Sequence, residues 1–68
     1  MRFENGKTYK HRKTLDMHIY VAAVVFETAK NVKLKVYYVD ERGMLFHGNL
    51  EEVIINDSEY PNWKLVNL

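Results

Sequence analysis

The chain has 68 residues, a net charge of +1 and no cysteine. A chain of this length forms one small domain, which we assign to residues 1–68, and it buries only about 60% of the surface that the unfolded chain exposes. The absence of cysteine excludes disulfides and cysteine-based zinc sites and is compatible with a reducing compartment.

The first half of the chain predicts two strands. Moderate alternation predicts one over Lys7–Arg12, after an Asn-Gly turn and before a loop or bend at Thr14–Met17. The strongest strand signal is His18–Thr28, where the eight residues Ile19–Phe26 are all apolar. An apolar run on both faces is typical of a long strand that bends in a small barrel, and two small alanines at its centre permit the bend. The run is far shorter than the roughly 20 residues that cross a bilayer.

The third predicted strand, Val32–Val39, has the clearest alternation in the chain. One face is predicted to be apolar, and the other carries two lysines and a tyrosine. The apolar set is Val32, Leu34, Val36 and Tyr38, and the opposite set is Lys33, Lys35 and Tyr37. A hairpin turn follows at residues 40–43, with Gly43 available for positive φ.

Three short strands are predicted in the rest of the chain, at Met44–His47, Leu50–Ile55 and Trp63–Val66. Before the last of them, Pro61 and its polar neighbours suit a single 3₁₀ turn at residues 58–62. Apolar side chains of these strands and of the two long ones should form the core. The predicted core residues are Ile19, Val21, Val25, Leu34, Val36, Trp63 and either Ile54 or Ile55.

This order of elements resembles the SH3-like small barrel, an all-β fold of five or six short antiparallel strands. A long bent second strand, a one-turn 3₁₀ segment and a short final strand recur in that class, and the resemblance covers nearly the whole chain. The segments "FENGKTYKHRKTLDMHIYV", "KLKVYYVDERG" and "YPNWKLV" are also similar to small uncharacterised proteins of tailed bacteriophages. The resemblance implies an accessory protein that docks on a host or phage macromolecule in the host cytoplasm.

Side chains that commonly carry chemistry are few and separated. The only serine, Ser58, lacks the glycine-rich elbow of a nucleophile, and the adjacent Glu51 and Glu52 point to opposite faces of a predicted strand. Nitrogen ligands for a metal are limited to three separated histidines, His11, His18 and His47. We therefore expect no catalytic residue, no metal and no cofactor, and a protein that is not an enzyme.

Positive charge is concentrated in the first half of the chain. Residues 1–35 carry eight lysines and arginines against three acidic residues, a net charge of +5, and residues 36–68 carry two against six, a net charge of −4. Such an asymmetry suits opposite charges on neighbouring strands, and it equally suits steering of a charged partner.

The candidate binding residues lie in the first and third predicted strands: Lys7, Tyr9, Lys10, His11, Arg12, Lys13, Lys33, Lys35 and Tyr37. Alternation puts one set of first-strand residues, Lys7, Tyr9, His11 and Lys13, on a single face. Lysines interleaved with rings are typical of a surface that follows a polyanion, and the lysines and tyrosine of the third strand could extend it. The cations of the first strand are expected to be exposed, and they equally suit an edge strand protected from aggregation.

Two binding functions remain open, and a self-associating structural piece of a larger assembly is a third option. Many aromatic residues and no catalytic constellation favour a protein partner, because tyrosine and tryptophan give rigid contact area. A nucleic acid bound along the basic first strand is the alternative, although the net charge is low for that role. We expect a soluble, cytoplasmic protein, because no apolar signal-peptide core follows Met1. We further expect a monomer or a weak homo-oligomer.

Overall fold

The structure, a computed structural model, describes residues 2–13 and 17–66 and is all-β in those ranges. It contains five strands, β1 (Thr8–His11), β2 (His18–Glu27), β3 (Asn31–Val39), β4 (Glu51–Asn56) and β5 (Trp63–Val66), and a 3₁₀ turn at Tyr60–Asn62. All neighbouring strands are antiparallel in one sheet of order β4-β3-β2-β1-β5. Within the described residues β4 and β5 form its two edges and do not pair, so the sheet is open. No helix in these ranges is both long and apolar enough to span a membrane.

Five of the six predicted strands are present, and their ends differ from the predicted ends by no more than one residue. The predicted strand at Met44–His47 is wrong, because this segment contributes only an isolated bridge between Leu45 and Val39. The Asp40 carboxylate instead accepts hydrogen bonds from the backbone N–H groups of Arg42 and Met44, at 2.8 and 2.9 Å. Together with backbone bonds from the Asp40 N–H to the Met44 carbonyl and from the Phe46 N–H to the Tyr38 carbonyl, at 2.8 and 3.0 Å, these bonds close a hairpin turn. Its pairing with β3 amounts to a single bridge among the described residues, which is too short to form a strand. Residues 14–16 of the predicted loop lie outside the described residues.

Two irregularities in β2 decide which of its apolar side chains face the core. The pairing with β3 shifts between Val21 and Ala23 and again between Val24 and Phe26. Each bulge adds a residue to one strand and so reverses the alternation beyond it. Val21 is therefore fully buried and Val24 packs against the core, whereas Val25 is 45% exposed. The prediction that Val25 is a core residue is wrong for this reason.

The core lies on one face of the sheet and includes a residue outside every strand. Its fully or nearly buried side chains are Phe3, Tyr9, Ile19, Val21, Val32, Leu34, Val36 and Ile55. The Phe3 ring meets Tyr9, Tyr60 and Trp63 edge to face, with ring centroids 4.7, 5.4 and 6.5 Å apart. Trp63 is half-buried against this cluster, and of the two candidate isoleucines it is Ile55 that is buried while Ile54 is exposed.

Arg2 connects the N-terminal segment to the far end of the sheet. Its guanidinium lies 3.1 Å from the Glu27 carboxylate and 2.9 Å from the Asp57 carboxylate, and it also donates a hydrogen bond to the Thr28 carbonyl. The hydrogen bond from Arg2 lowers the pKa of the Glu27 carboxyl below its ordinary value. The N-terminal segment is thus held in place by the ion pairs of Arg2 and by the packing of Phe3 in the core.

Candidate binding groove

The register of the strands defines the face of the sheet opposite the core, which we call the outer face. Thr8 lies opposite both Tyr20 and Val66, and Tyr20 lies opposite Tyr37. Residues directly opposite in an antiparallel pair point to the same side. These four side chains therefore form one row across β5, β1, β2 and β3 on the outer face.

An open groove of about 590 Å³ runs over this row. Its lining consists of Gly6, Lys7, Thr8, Tyr20, Tyr37, Val39, Gly43, Leu45 and Val66. Thr8 and Val39 are buried, Tyr37 and Val66 are half-buried, and Tyr20 is exposed. The groove thus offers two tyrosine side chains, aliphatic surface and one lysine, and none of its lining residues carries a carboxylate.

A second row on the outer face, which we call the lysine row, lies two residues further along each strand and consists of Lys64, Lys10, His18 and Val39. Lys10 lies opposite Lys64 on one side and His18 on the other, and His18 lies opposite Val39, which also lines the groove. Lys10 is half-buried and Lys64 is exposed. His18 is 3% exposed, and its Nδ1 has no hydrogen-bond partner among the described residues.

The structure divides the predicted binding residues between the two faces. Tyr9 lies opposite Ile19 and is 6% exposed in the core, where burial raises the pKa of its hydroxyl and the backbone N–H of Glu4 donates to it at 2.9 Å. His11 is half-buried, with its ring 4.9 Å from that of Trp63. Tyr9 and His11 lie on the core side of β1, whereas Tyr37 lies on the outer face, so the third strand does not extend the face that Tyr9 and His11 share.

The third-strand residues of the predicted site, Lys33, Lys35 and Tyr37, do lie together on the outer face. The β1 residue in the row of Tyr37 is Thr8, and Lys10 lies in the next row, which crosses β3 at Val39. The three third-strand residues are half-buried, and Lys33 forms an ion pair with Glu52 at 3.2 Å. Of the first-strand cations, Lys7, Arg12 and Lys13 are exposed as predicted. The expected exposure of Lys10 is wrong, because its position between two neighbouring strands covers part of its side chain.

The connection between β3 and β4 projects beside the groove and is exposed throughout residues 41–50. Four large apolar side chains of this loop are 46–65% exposed: Met44, Leu45, Phe46 and Leu50. Leu45 also lines the groove, so the loop adjoins the groove at this residue. Two backbone N–H groups, of Met44 and Arg42, donate hydrogen bonds to the Asp40 carboxylate and hold the turn at the start of the loop. These bonds, chiefly the one from Met44, keep the pKa of the Asp40 carboxyl below its ordinary value.

The groove contains residues that the sequence analysis missed. Tyr20 is one of them. It lies directly opposite Tyr37, which was a predicted binding residue, but this pairing cannot be read from the sequence. Alternation shows which residues of one strand share a face but does not show which residues of two strands are opposite each other. Leu45 and Val66 enter the groove through a loop and an edge strand, where no periodic signal exists.

The histidines lie apart from one another. His11 Nε2 is 3.8 Å from a Glu59 carboxylate oxygen, and His47 Nε2 is 3.2 Å from one of Glu51. In the described part of the chain, no group of three or more histidine or carboxylate side chains is placed to hold a metal ion.

The comparisons with known proteins add no relative. No protein-family model matches the chain, and neither a curated protein nor a solved structure matches it. The groove, the lysine row and the apolar loop are therefore the features from which a function has to be inferred.

Proposed function

We propose that the protein is a non-enzymatic binding module that docks on a partner protein through the groove and the adjoining loop. The observation that carries this proposal is the exposure of four large apolar side chains within residues 44–50, next to a groove that already contains Tyr20 and Tyr37. Single exposed apolar residues are ordinary on a protein surface, but a continuous patch is typical of an interaction site. Tyrosine adds contact area at low entropic cost.

We further propose that the fold is an SH3-like small barrel and that the module is a phage-type accessory protein acting in the host cytoplasm. Support for the barrel comes from the bulged second strand, the 3₁₀ turn before the last strand and the pairing of the first strand with the last. A small cleft also lies between the two edge strands, lined by Ile55 and Trp63 among others. Because such folds host many functions, the binding role rests on the surface and not on the fold.

Capture from a bacterial extract tests the role of the loop. The tagged wild type is compared with a double variant, Leu45→Ser with Phe46→Ser, and with a matched control, Val25→Ser with Phe26→Ser. Both pairs are about half exposed, but the control pair lies at the end of β2 away from the groove. We expect wild type and control to capture the same protein with or without nuclease, and the loop variant to lose it. Equal capture by the loop variant, with its circular dichroism unchanged, would contradict the proposal.

A second candidate, nucleic-acid binding, is favoured by one observation. Tyr20 and Tyr37 share the outer face with Lys10, Lys35 and Lys64, and rings flanked by cations suit a single strand whose bases stack and whose phosphates are neutralised. Gel-shift titration against single- and double-stranded DNA and RNA at two salt concentrations tests it. Binding that weakens steeply with salt would support this candidate, and no shift up to about 100 μM, the weak end of non-specific binding, would remove it.

A further inference from the structure

We propose that the segment bound in the groove is an acidic peptide, with a carboxylate held between Lys10 and Lys64 and an apolar side chain in the groove. This inference rests on the proposed function, because it names the chemistry of the docking partner. It follows from the charges of the second outer-face row and from the composition of the groove beside it.

The lysine row contains an unfavourable pair that an anion would relieve. Lys10 and Lys64 lie directly opposite each other on β1 and β5, and like charges in that position destabilise a sheet. Neither lysine forms an ion pair with a described residue, whereas Lys33, on the same face, has Glu52 at 3.2 Å. The sheet therefore provides a partner for one lysine and leaves two facing lysines without one in the described chain.

The surroundings of this pair make an external carboxylate a suitable ligand. Lys10 lies between β5 and β2, and a carboxylate placed over the pair would accept charge-assisted hydrogen bonds, which are the stronger kind, from both ammonium groups. Lys7 lies at the groove itself and adds a third cation. Asp40 follows Val39 of the same row, but its carboxylate already accepts two backbone hydrogen bonds in the turn.

The groove beside the lysines favours a peptide over a nucleic acid. Its aliphatic surface comes from Val39, Leu45 and Val66, and a pocket of this kind takes an apolar side chain. The apolar loop extends that surface on one side, and the lysine row borders it on another. A net charge of +1 gives little long-range attraction for a polyphosphate, whereas two or three local cations are enough for a short acidic segment.

Chemical-shift titration of the ¹⁵N-labelled protein tests the inference with defined probes. The probes are the hexapeptide acetyl-Glu-Glu-Leu-Phe-Glu-Glu-amide, the same peptide with lysine in place of each glutamate, and a ten-nucleotide oligothymidine. We expect the acidic peptide to shift the amides of Lys10, Tyr20, Tyr37 and Lys64, and the basic peptide to leave them unchanged. In the variant Lys10→Gln with Lys64→Gln the affinity should fall roughly tenfold or more, since hydrogen bonds to charged groups are the stronger ones. Lys30→Gln, in the exposed turn between β2 and β3, is the matched control.

Two outcomes would overturn the inference. One is the absence of any shift at these amides with acidic peptide up to about 5 mM, beyond the millimolar limit of weak specific binding. The other is oligothymidine shifting the same amides at lower concentration than the acidic peptide. If the peptide fails while the loop variant still loses its partner from the extract, the docking function stands and only the acidic partner is rejected.

A second measurement reports on the lysine pair without any ligand. Replacing one member of a like-charge cross-strand pair by an acid turns repulsion into attraction. We therefore expect Lys64→Glu to raise the melting temperature of the free protein and to abolish the peptide-induced shifts at Lys10. Lys30→Glu should do neither. A melting temperature lowered by Lys64→Glu would show that the two lysines do not repel each other.

Discussion

Removing the Phe3 ring should destabilise the protein more than any change on its surface. The side chain is completely buried and touches three other rings, although it lies in a segment with no regular structure. A buried Phe→Ala change costs about 3–5 kcal/mol through lost transfer energy and the cavity that remains. A domain of this length has only about 3–10 kcal/mol in total, at roughly 0.05–0.15 kcal/mol per residue. Phe3→Ala should therefore remove about a third or more of the free energy of unfolding. Phe3→Leu, which keeps much of the volume, should cost about 1–2 kcal/mol.

Urea titration followed by far-ultraviolet circular dichroism measures these losses. Fluorescence is the weaker probe, because Phe3 touches Trp63 and its removal would change the emission directly. With an m-value of about 1–3 kcal/mol per molar urea, a loss of 3–5 kcal/mol moves the midpoint by roughly 1 M or more. Phe46→Ala is the control, because that ring is 50% exposed. Equal midpoints for Phe3→Ala and Phe46→Ala would refute the central position of Phe3 in the core.

Leu34→Ala, at a fully buried position of β3, should cost about 2–5 kcal/mol, and an unchanged melting temperature would contradict the assigned core face of that strand. The pKa of Glu27 is lowered by Arg2, so its contribution to stability is present at neutral pH and is lost as the pH falls through that lowered pKa. The gap in melting temperature between wild type and Glu27→Gln should accordingly narrow between about pH 6 and about pH 3, and a constant gap would argue against the ion pair. Gly43 has φ of 83°, so Gly43→Ala should lower the free energy of unfolding by about 1–2 kcal/mol; Gly48→Ala, where a Cβ would meet nothing within 4 Å, serves as its control.

Alternation and turn residues predicted the regular part of the fold well. Val32–Val39 alternates because one face of β3 packs on the core, and the observed burial follows that pattern from Val32 to Val36. Val39 departs from it, because it is buried although it lies on the outer face. Gly43 has the positive φ expected of the turn after β3. The last strand, Trp63–Val66, has its predicted bounds, because Pro61 limits the preceding segment to a single turn.

The errors arose where local sequence carries no directional signal. Eight consecutive apolar residues in β2 look alike on both faces, so the bulges that place Val24 inside and Val25 outside left no trace in the pattern. At Met44–His47 a short apolar segment resembled a strand, but its pairing with β3 is limited to the bridge between Leu45 and Val39. Phe3 has no strand around it, and only its tertiary contacts identify it as a core residue.

Only some of the residues of the candidate site were predicted correctly, because the sequence does not show which face of β1 meets the core. Lys10, Lys35 and Tyr37 were selected from composition and do share the outer face. Tyr9 was selected by the same reasoning but lies on the core side. The sequence did not reveal this, because neighbouring residues on both faces of β1, Thr8 and Tyr9, are buried, and the alternation therefore does not distinguish the two faces. The assignment of a face required the register with β2, which depends on the whole sheet and not on the strand itself.

The pairing of β1 with β5 has a consequence for the order in which the chain folds. The strands β1 to β4 follow one another and pair as a meander, whereas Thr8 must find Val66 near the opposite end of the sequence. Closing such a long loop is slow because its entropy is lost before the contacts form. We therefore expect an early four-stranded species in which the β5-facing edge of β1 remains open to other molecules. Concentrated refolding solutions should lose protein to aggregation at this stage, and dilution should restore the yield.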